Sequence, residues 1–236
     1  MPTTTLEICV DNLQGLAAAS AGGADRIELC SALGLGGLTP SPGLMAQAGR
    51  ATLPCHAMIR PRAGDFVLRA GDLDAMRGDI AAARSTGLAG VVIGTALPDA
   101  ALDTDMLGEL IDAVKGMEVT LHRVFDLTPD PFAALDAAIG LGVRRVLTSG
   151  QASTALQGAD LLARLVKHAA GRIEIMAGGG VTAENAPALI STGVDALHAS
   201  ASGPDPQHMD CARIGITAPK LTDTKKVAGL CAALTP

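Results

Sequence analysis

The sequence predicts an α/β fold and, within that class, a single (β/α)8 TIM barrel built from residues 1–236. Three observations carry the prediction. Eight strand-like runs begin near residues 6, 26, 55, 90, 118, 144, 173 and 195, spaced around 30 residues apart, the size of one βα unit. Helix-like stretches separate them, so successive strands run parallel. Charged and hydroxyl side chains recur at the C-terminal ends of these runs along the whole chain. A doubly wound open sheet, the competing arrangement, would gather them at one switch point. The 236 residues nearly match the roughly 250 that one barrel needs, and no stretch reads as an interdomain linker.

Each element has its own signature. Leu6-Glu7-Ile8-Cys9-Val10-Asp11 alternates, with Leu6, Ile8 and Val10 on one face and Glu7, Cys9 and Asp11 on the other. The Ala-rich stretch 12–22 reads as a helix that closes at Gly22-Gly23. Ala24-Asp25-Arg26-Ile27-Glu28-Leu29-Cys30 is the second strand, with Arg26, Glu28 and Cys30 sharing a face. A carboxylate inside a buried strand is costly unless it is paired or hydrogen-bonded. A loop with three glycines leads to Ser41-Pro42, an N-cap followed by proline at the first helical position. The third strand, 55–59, runs into Arg60-Pro61-Arg62-Ala63-Gly64-Asp65-Phe66. Asp72 is expected to cap a helix ending about Ser85, and Asp103 to cap the helix after the apolar fourth strand, 90–94.

The fifth strand, 118–122, leads into Arg123-Val124-Phe125-Asp126, and Asp130-Pro131 opens a helix closed by Gly140 and Gly142. The sixth, 144–150, ends in Thr148-Ser149-Gly150 and precedes an amphipathic helix over about 160–170. Gly178-Gly179-Gly180 follows the seventh, 173–177, and Thr182 is expected to cap the next helix. The eighth is 196–200, and a last helix covers about 224–233.

Composition narrows the function classes. A chain that is 48% hydrophobic and 18% charged can fill a core. With three Phe and no Tyr or Trp, that core is aliphatic and offers no aromatic platform for bases or sugars. A net charge of −6 without a basic run argues against nucleic-acid and anionic-membrane partners. No apolar run approaches the roughly 20 residues of a membrane span, and Met1-Pro2-Thr3-Thr4-Thr5 does not read as a secretory signal. Cysteines at 9, 30, 55, 211 and 231 are odd in number and lack close pairs, as expected for reduced thiols in a cytoplasmic protein.

The mouth formed by the strand C-termini is the active face of such barrels. Strand parity points Glu7, Cys9, Asp11, Glu28, Cys30, Met58, Arg60, Thr120, His122, Thr148, Met176, His198 and Ser200 inward. Glu7, Glu28, His122 and Asp126 are the candidate catalytic groups. The competing account is a structural network in which Arg60, Arg62 or Arg123 neutralises the two glutamates. Arg60, Arg62, Arg123, Thr148, Ser149, His198 and Ser200, with the backbone of Gly178, Gly179 and Gly180, are candidates for holding a phosphate or carboxylate. Glycines that simply close a crowded turn, and histidines that are hydrogen-bonded core imidazoles, are the alternatives. Cys9 and Cys30 lie on adjacent strands with the same parity, near Met58 and Met176. Such sulfur donors suit Cu(I), and buried cysteines equally serve as small apolar residues.

Glu7-Ile-Cys-Val-Asp11, Ala24-Asp-Arg-Ile-Glu-Leu-Cys30 with Thr39-Pro40-Ser41, Met58-Ile-Arg-Pro-Arg62 with Gly64-Asp65-Phe66, His122-Arg-Val-Phe-Asp126, Leu147-Thr-Ser-Gly150 and Ala177-Gly-Gly-Gly180 together resemble the CutC family over residues 6 to about 202. The resemblance implies a cytoplasmic, homo-oligomeric TIM barrel named for copper homeostasis, with Cu(I) bound through cysteine. It gives the copper-ligand role to Cys30 first and Cys9 second. Ser202 departs from the pattern, since some relatives carry Arg there. Two expectations follow. The first is a copper-handling protein with a metal-ion ligand. The second is an enzyme acting on a small anionic or phosphorylated metabolite through the Glu, Arg and His side chains at the mouth.

Overall fold

Eight parallel strands close into a barrel in sequence order in the computed structural model, which describes residues 4–205, 209, 214 and 220–234. They are β1 (Thr5–Val10), β2 (Arg26–Leu29), β3 (Cys55–Met58), β4 (Gly90–Ile93), β5 (Glu118–Leu121), β6 (Arg145–Thr148), β7 (Glu174–Gly178) and β8 (Ala196–Ala199). The ring closes where Glu7 of β1 pairs in register with His198 of β8. On its other side Glu7 is level with Arg26 of β2, and Cys9 with Glu28. Period-2 alternation then sorts the side chains. Ile8, Ile27, Leu29, Ala57, Val91, Ile93, Leu121, Val146, Ile175 and Leu197 face outward into one continuous apolar layer shared with the helices. The inner faces keep only small apolar groups, Cys30 with Met58 and Val92, and Leu147 with Met176 and Ala196. The rest of the interior is polar or ionisable.

The helices are α1 (Leu13–Ala21), α2 (Pro42–Ala48), α3 (Asp72–Ser85), α4 (Thr104–Val114), α5 (Pro131–Gly140), α6 (Ala159–Ala169), α7 (Ala186–Ile190) and α8 (Thr224–Leu234). Ser41, Asp103 and Asp130 cap α2, α4 and α5 through their side-chain oxygens, as their positions predict. Two expected caps are corrected. Asp72 is the first residue of α3 rather than its cap; Gly71 takes that place, and the Asp72 carboxylate accepts instead from the Arg69 N–H and from Arg62. Thr182 does not cap α7: its N–H donates to Asn185 Oδ1, and Asn185 precedes the helix. Short 3-10 turns at Leu33–Leu35 and Arg123–Leu127, and the antiparallel pair β9 (Ser202–Pro204) and β10 (Lys220–Thr222), add to the sequence reading. Among the described residues no helix is long and apolar enough to cross a membrane. Cys211 lies outside the described residues.

Candidate functional site

The barrel interior is stacked in levels. At the N-terminal end Arg145 of β6 is buried and every arm of its guanidinium is engaged. Nε donates to Glu174 at 2.9 Å, Nη2 to Glu118, and Nη1 faces Thr120 Oγ1 and His56 Nδ1, both at 3.2 Å. Burial, reinforced by Arg145 and Arg26, pulls His56 down to about 4, so its ring is neutral and can accept from Arg145.

One level up, Glu7 is fully buried between two cations. Arg26 Nε donates to one of its oxygens at 2.5 Å and His198 Nδ1 to the other at 2.8 Å. Burial pushes the Glu7 carboxyl up, but the His198 hydrogen bond and the Arg26 charge outweigh it and hold the group well below the usual carboxylate range. Burial pulls His198 down, and Glu28, Cys9 and Glu7 together drive it well above its ordinary value. His198 is therefore an imidazolium held between carboxylates. The expected network is corrected here: Glu7 is neutralised by Arg26 and His198, not by Arg60, Arg62 or Arg123.

The mouth lies above. A cavity of about 200 Å³ is lined by Cys9, Glu28, Leu33, Gly36, Met58, Arg60, Phe66, His122, Arg123, Leu147 and His198. Glu28 presents its two oxygens differently. Oε2 accepts from the Cys30 thiol at 3.4 Å and lies 3.8 Å from His198 Nε2, whereas Oε1 is buried without a partner. Burial raises the Glu28 carboxyl; His198 opposes this and the nearby Glu7 charge adds to it. Burial and Glu28 likewise hold the Cys30 proton on its sulfur. His122 follows β5 and opens the 3-10 turn, where its Nδ1 accepts the Val124 N–H at 3.1 Å. The neutral ring therefore carries its proton on Nε2, which is buried and has no partner. Burial and the Arg60 charge hold His122 down at about 3. Glycine at 94 makes room for the ring, since a Cβ there would stand 2.6 Å from Nδ1. Phe66 packs against the ring, tilted by 45° with centroids 4.8 Å apart, and Arg60 lies 5.0 Å over Phe66.

Arg60 ties the rim together by donating to the carbonyls of Leu35, Gly37 and Gly64, and its Nε is also buried without a partner. Arg123 reaches the cavity while Nε pairs with Asp126 and Nη2 with Ser149 Oγ, both at 2.8 Å.

Several candidates lie elsewhere. Asp126 does not line the cavity; its oxygens accept from Thr148, Ser149, Gln151 and Arg123, so it knits the loop after β6 to the turn after β5. Thr148 and Ser149 are spent on that task. Arg62 turns away to pair with Asp65 and Asp72, each at 2.9 Å. The glycine run does not form one cradle at the mouth. Gly178 makes room for Leu147, whose Cδ1 would lie 2.5 Å from a Cβ there. Gly179 and Gly180 adopt positive φ, and Gly180 lines a separate cavity of about 440 Å³ with Thr182, Ser200, Ser202 and Lys226. Ser200 bonds to Ser202 at 3.1 Å rather than facing the mouth. Glu28, Arg60, His122, Arg123, Cys9 and His198 are thus the predicted residues that the fold brings together.

Sequence reasoning placed Arg26 on the correct face but did not see it as the partner of Glu7, and it missed His56, Arg145 and Phe66. The parity of Arg26 with Glu28, and of His56 with Met58, was the available signal.

Among the described residues one group of donors can hold a metal ion: atoms of Cys9, Glu28 and His198 lie within 4.8 Å of one another. It supplies one soft ligand, one imidazole and one hard carboxylate. Cys30 is not one of this group, although its thiol donates to Glu28 Oε2 at 3.4 Å.

Residues 4–203 match the model of the CutC family. A family protein CutC of Rhizobium meliloti is 51% identical over 238 residues, 99% of this chain and 97% of that one. Another, from Caulobacter vibrioides, is 52% identical over 227 residues, covering 94% of this chain and 93% of its own. The crystal structure of CutC from Streptococcus agalactiae, a protein named for copper homeostasis, superposes with a TM-score of 0.80 at 33% identity, covering 84% of this chain and 98% of its own. On family model, relatives and fold alike, the chain belongs to the CutC family.

Proposed function

We propose that the chain is an enzyme that takes a small anionic metabolite, a carboxylate or a phosphate ester, into the mouth cavity and acts on it by acid–base chemistry. One observation carries this reading. Among the described residues four buried side-chain polar atoms lack a partner, and three of them, Glu28 Oε1, His122 Nε2 and Arg60 Nε, belong to residues lining this one cavity. Leaving such an atom unpaired costs roughly 1–3 kcal/mol, so one unmet acceptor and two unmet donors on residues of the same cavity favour a ligand there that supplies partners as the side chains adjust to it. The guanidiniums of Arg60 and Arg123 select an anion, and about 200 Å³ limits it to a small one. A thermal-shift screen with 2-keto acids and sugar phosphates tests the reading. Wild type is expected to be stabilised, and Arg60→Gln or Arg123→Gln to lose most of the shift. No stabilisation by any of these anions, or a shift unchanged in both variants, refutes it.

A second reading is favoured by the convergence of Cys9, Glu28 and His198: Cu(I) held at the mouth, in keeping with the family's name. It stands second because His198 is engaged by two carboxylates, and the set offers a single soft donor. Cu(I) titration of wild type against Cys9→Ser and Cys30→Ser decides it; affinity unchanged in both variants removes copper from the mouth. A cytoplasmic setting and a homo-oligomeric state, implied by the resemblance, belong to the same proposal, and sedimentation analysis tests the second.

A further inference from the structure

We infer that the mouth transfers a proton at the carbon beside a carbonyl group of its anionic substrate, with Glu28 as the base and His122 as the donor to the carbonyl oxygen. This rests on the enzyme reading above and names its reaction class. The Cys30 thiol anchors Oε2 of Glu28, a residue that lines the cavity, and leaves the buried Oε1 as the carboxylate oxygen whose lone pairs nothing else takes. His122 is fixed in the complementary sense. The Val124 N–H occupies Nδ1, so Nε2–H is a donor with no acceptor in the protein. Gly94 leaves room for the ring, and Phe66 packs against it at a 45° tilt. A neutral imidazole is a weak acid. It therefore stabilises a developing enolate through its hydrogen bond and keeps its proton.

The step balances without a co-reactant. Glu28 Oε1 takes the proton from carbon, and the C–H electron pair becomes the new carbon–carbon π bond. The carbonyl π pair moves onto oxygen, which accepts a hydrogen bond from Nε2–H of His122. Return of the proton from Glu28 to the same face of that carbon restores the carbonyl compound with its configuration kept, and in D2O the returned hydron comes from solvent.

The full chain is incubated in D2O with 2-oxobutyrate and, separately, with dihydroxyacetone phosphate, and loss of the proton signal beside the carbonyl is followed by NMR. Wild type is expected to accelerate exchange for at least one probe. Glu28→Gln should lower the rate at least 100-fold, and His122→Leu about 100-fold, while the melting shift given by the probe persists in Glu28→Gln. Binding without exchange in wild type overturns the enolisation and leaves anion binding standing. Neither binding nor exchange overturns both. Exchange that survives Glu28→Gln removes Glu28 as the base. The wild-type result is decisive even if a variant does not fold.

Discussion

The two ends of the barrel interior are built from the same residue types to opposite effect. At the N-terminal end Arg145 uses Nε, Nη1 and Nη2 on Glu174, Thr120, His56 and Glu118. At the C-terminal end Glu28, Arg60 and His122 each keep one buried polar atom without a partner. A barrel commonly locates stability at the first end and chemistry at the second, and the function proposed above follows that division. Charge in an interior is therefore no indicator of function. An unmet hydrogen-bonding capacity is the better one.

The largest effect should come from the filled end. Arg145→Met takes the shared donor from Glu118, Glu174 and His56; Glu118 is half-exposed and Glu174 keeps Arg144, so urea denaturation should show a loss of roughly 2–3 kcal/mol. A loss below about 1 kcal/mol would erase the contrast. Gly94→Ala comes next. Its Cβ collides with the His122 ring, so stability should fall by about 1–3 kcal/mol and the anion-dependent melting shift should disappear.

Acid sharpens the comparison through His56. Its pKa is about 4 when folded and about 6.5 when unfolded, so the unfolded chain binds the proton first. Stability should fall as pH drops from about 6.5 towards 4, by about 3 kcal/mol in all, and His56→Gln should flatten that part of the profile. His198 has the opposite sign. Its folded value is raised, so its contribution is complete below about 6.5 and is lost as pH climbs through that raised value. His198→Gln should therefore flatten the alkaline side.

The smallest effect on stability is expected at the mouth. Glu28→Gln removes a carboxylate that burial already disfavours, so the melting point should hold or rise slightly while turnover collapses. A melting point well below wild type would place Glu28 among the structural groups instead.

Much of this was legible in the letters. All eight strands follow from alternation and spacing, and parity sends Glu7, Glu28, Arg60, His122 and His198 to one interior because period 2 persists through each strand and, for Arg60 and His122, one or two residues past its end. Parity fails further out. Arg62 is two residues beyond Arg60 yet turns to Asp65 and Asp72, because the chain there is already a loop. Partners across strands were hidden for a different reason. Which level of β2 faces Glu7 depends on the stagger of the closed ring, which no single strand encodes. The glycines after β7 misled because the sequence shows the missing side chain but not whether the space is taken by a ligand or by Leu147.

Phe66 lies against both His122 and Arg60 in a chain that has neither tryptophan nor tyrosine. Replacing that one ring with an indole would give the molecule a single fluorophore placed at the cavity rim. Its emission would then report occupancy from a dark background, with no need to know beforehand what enters.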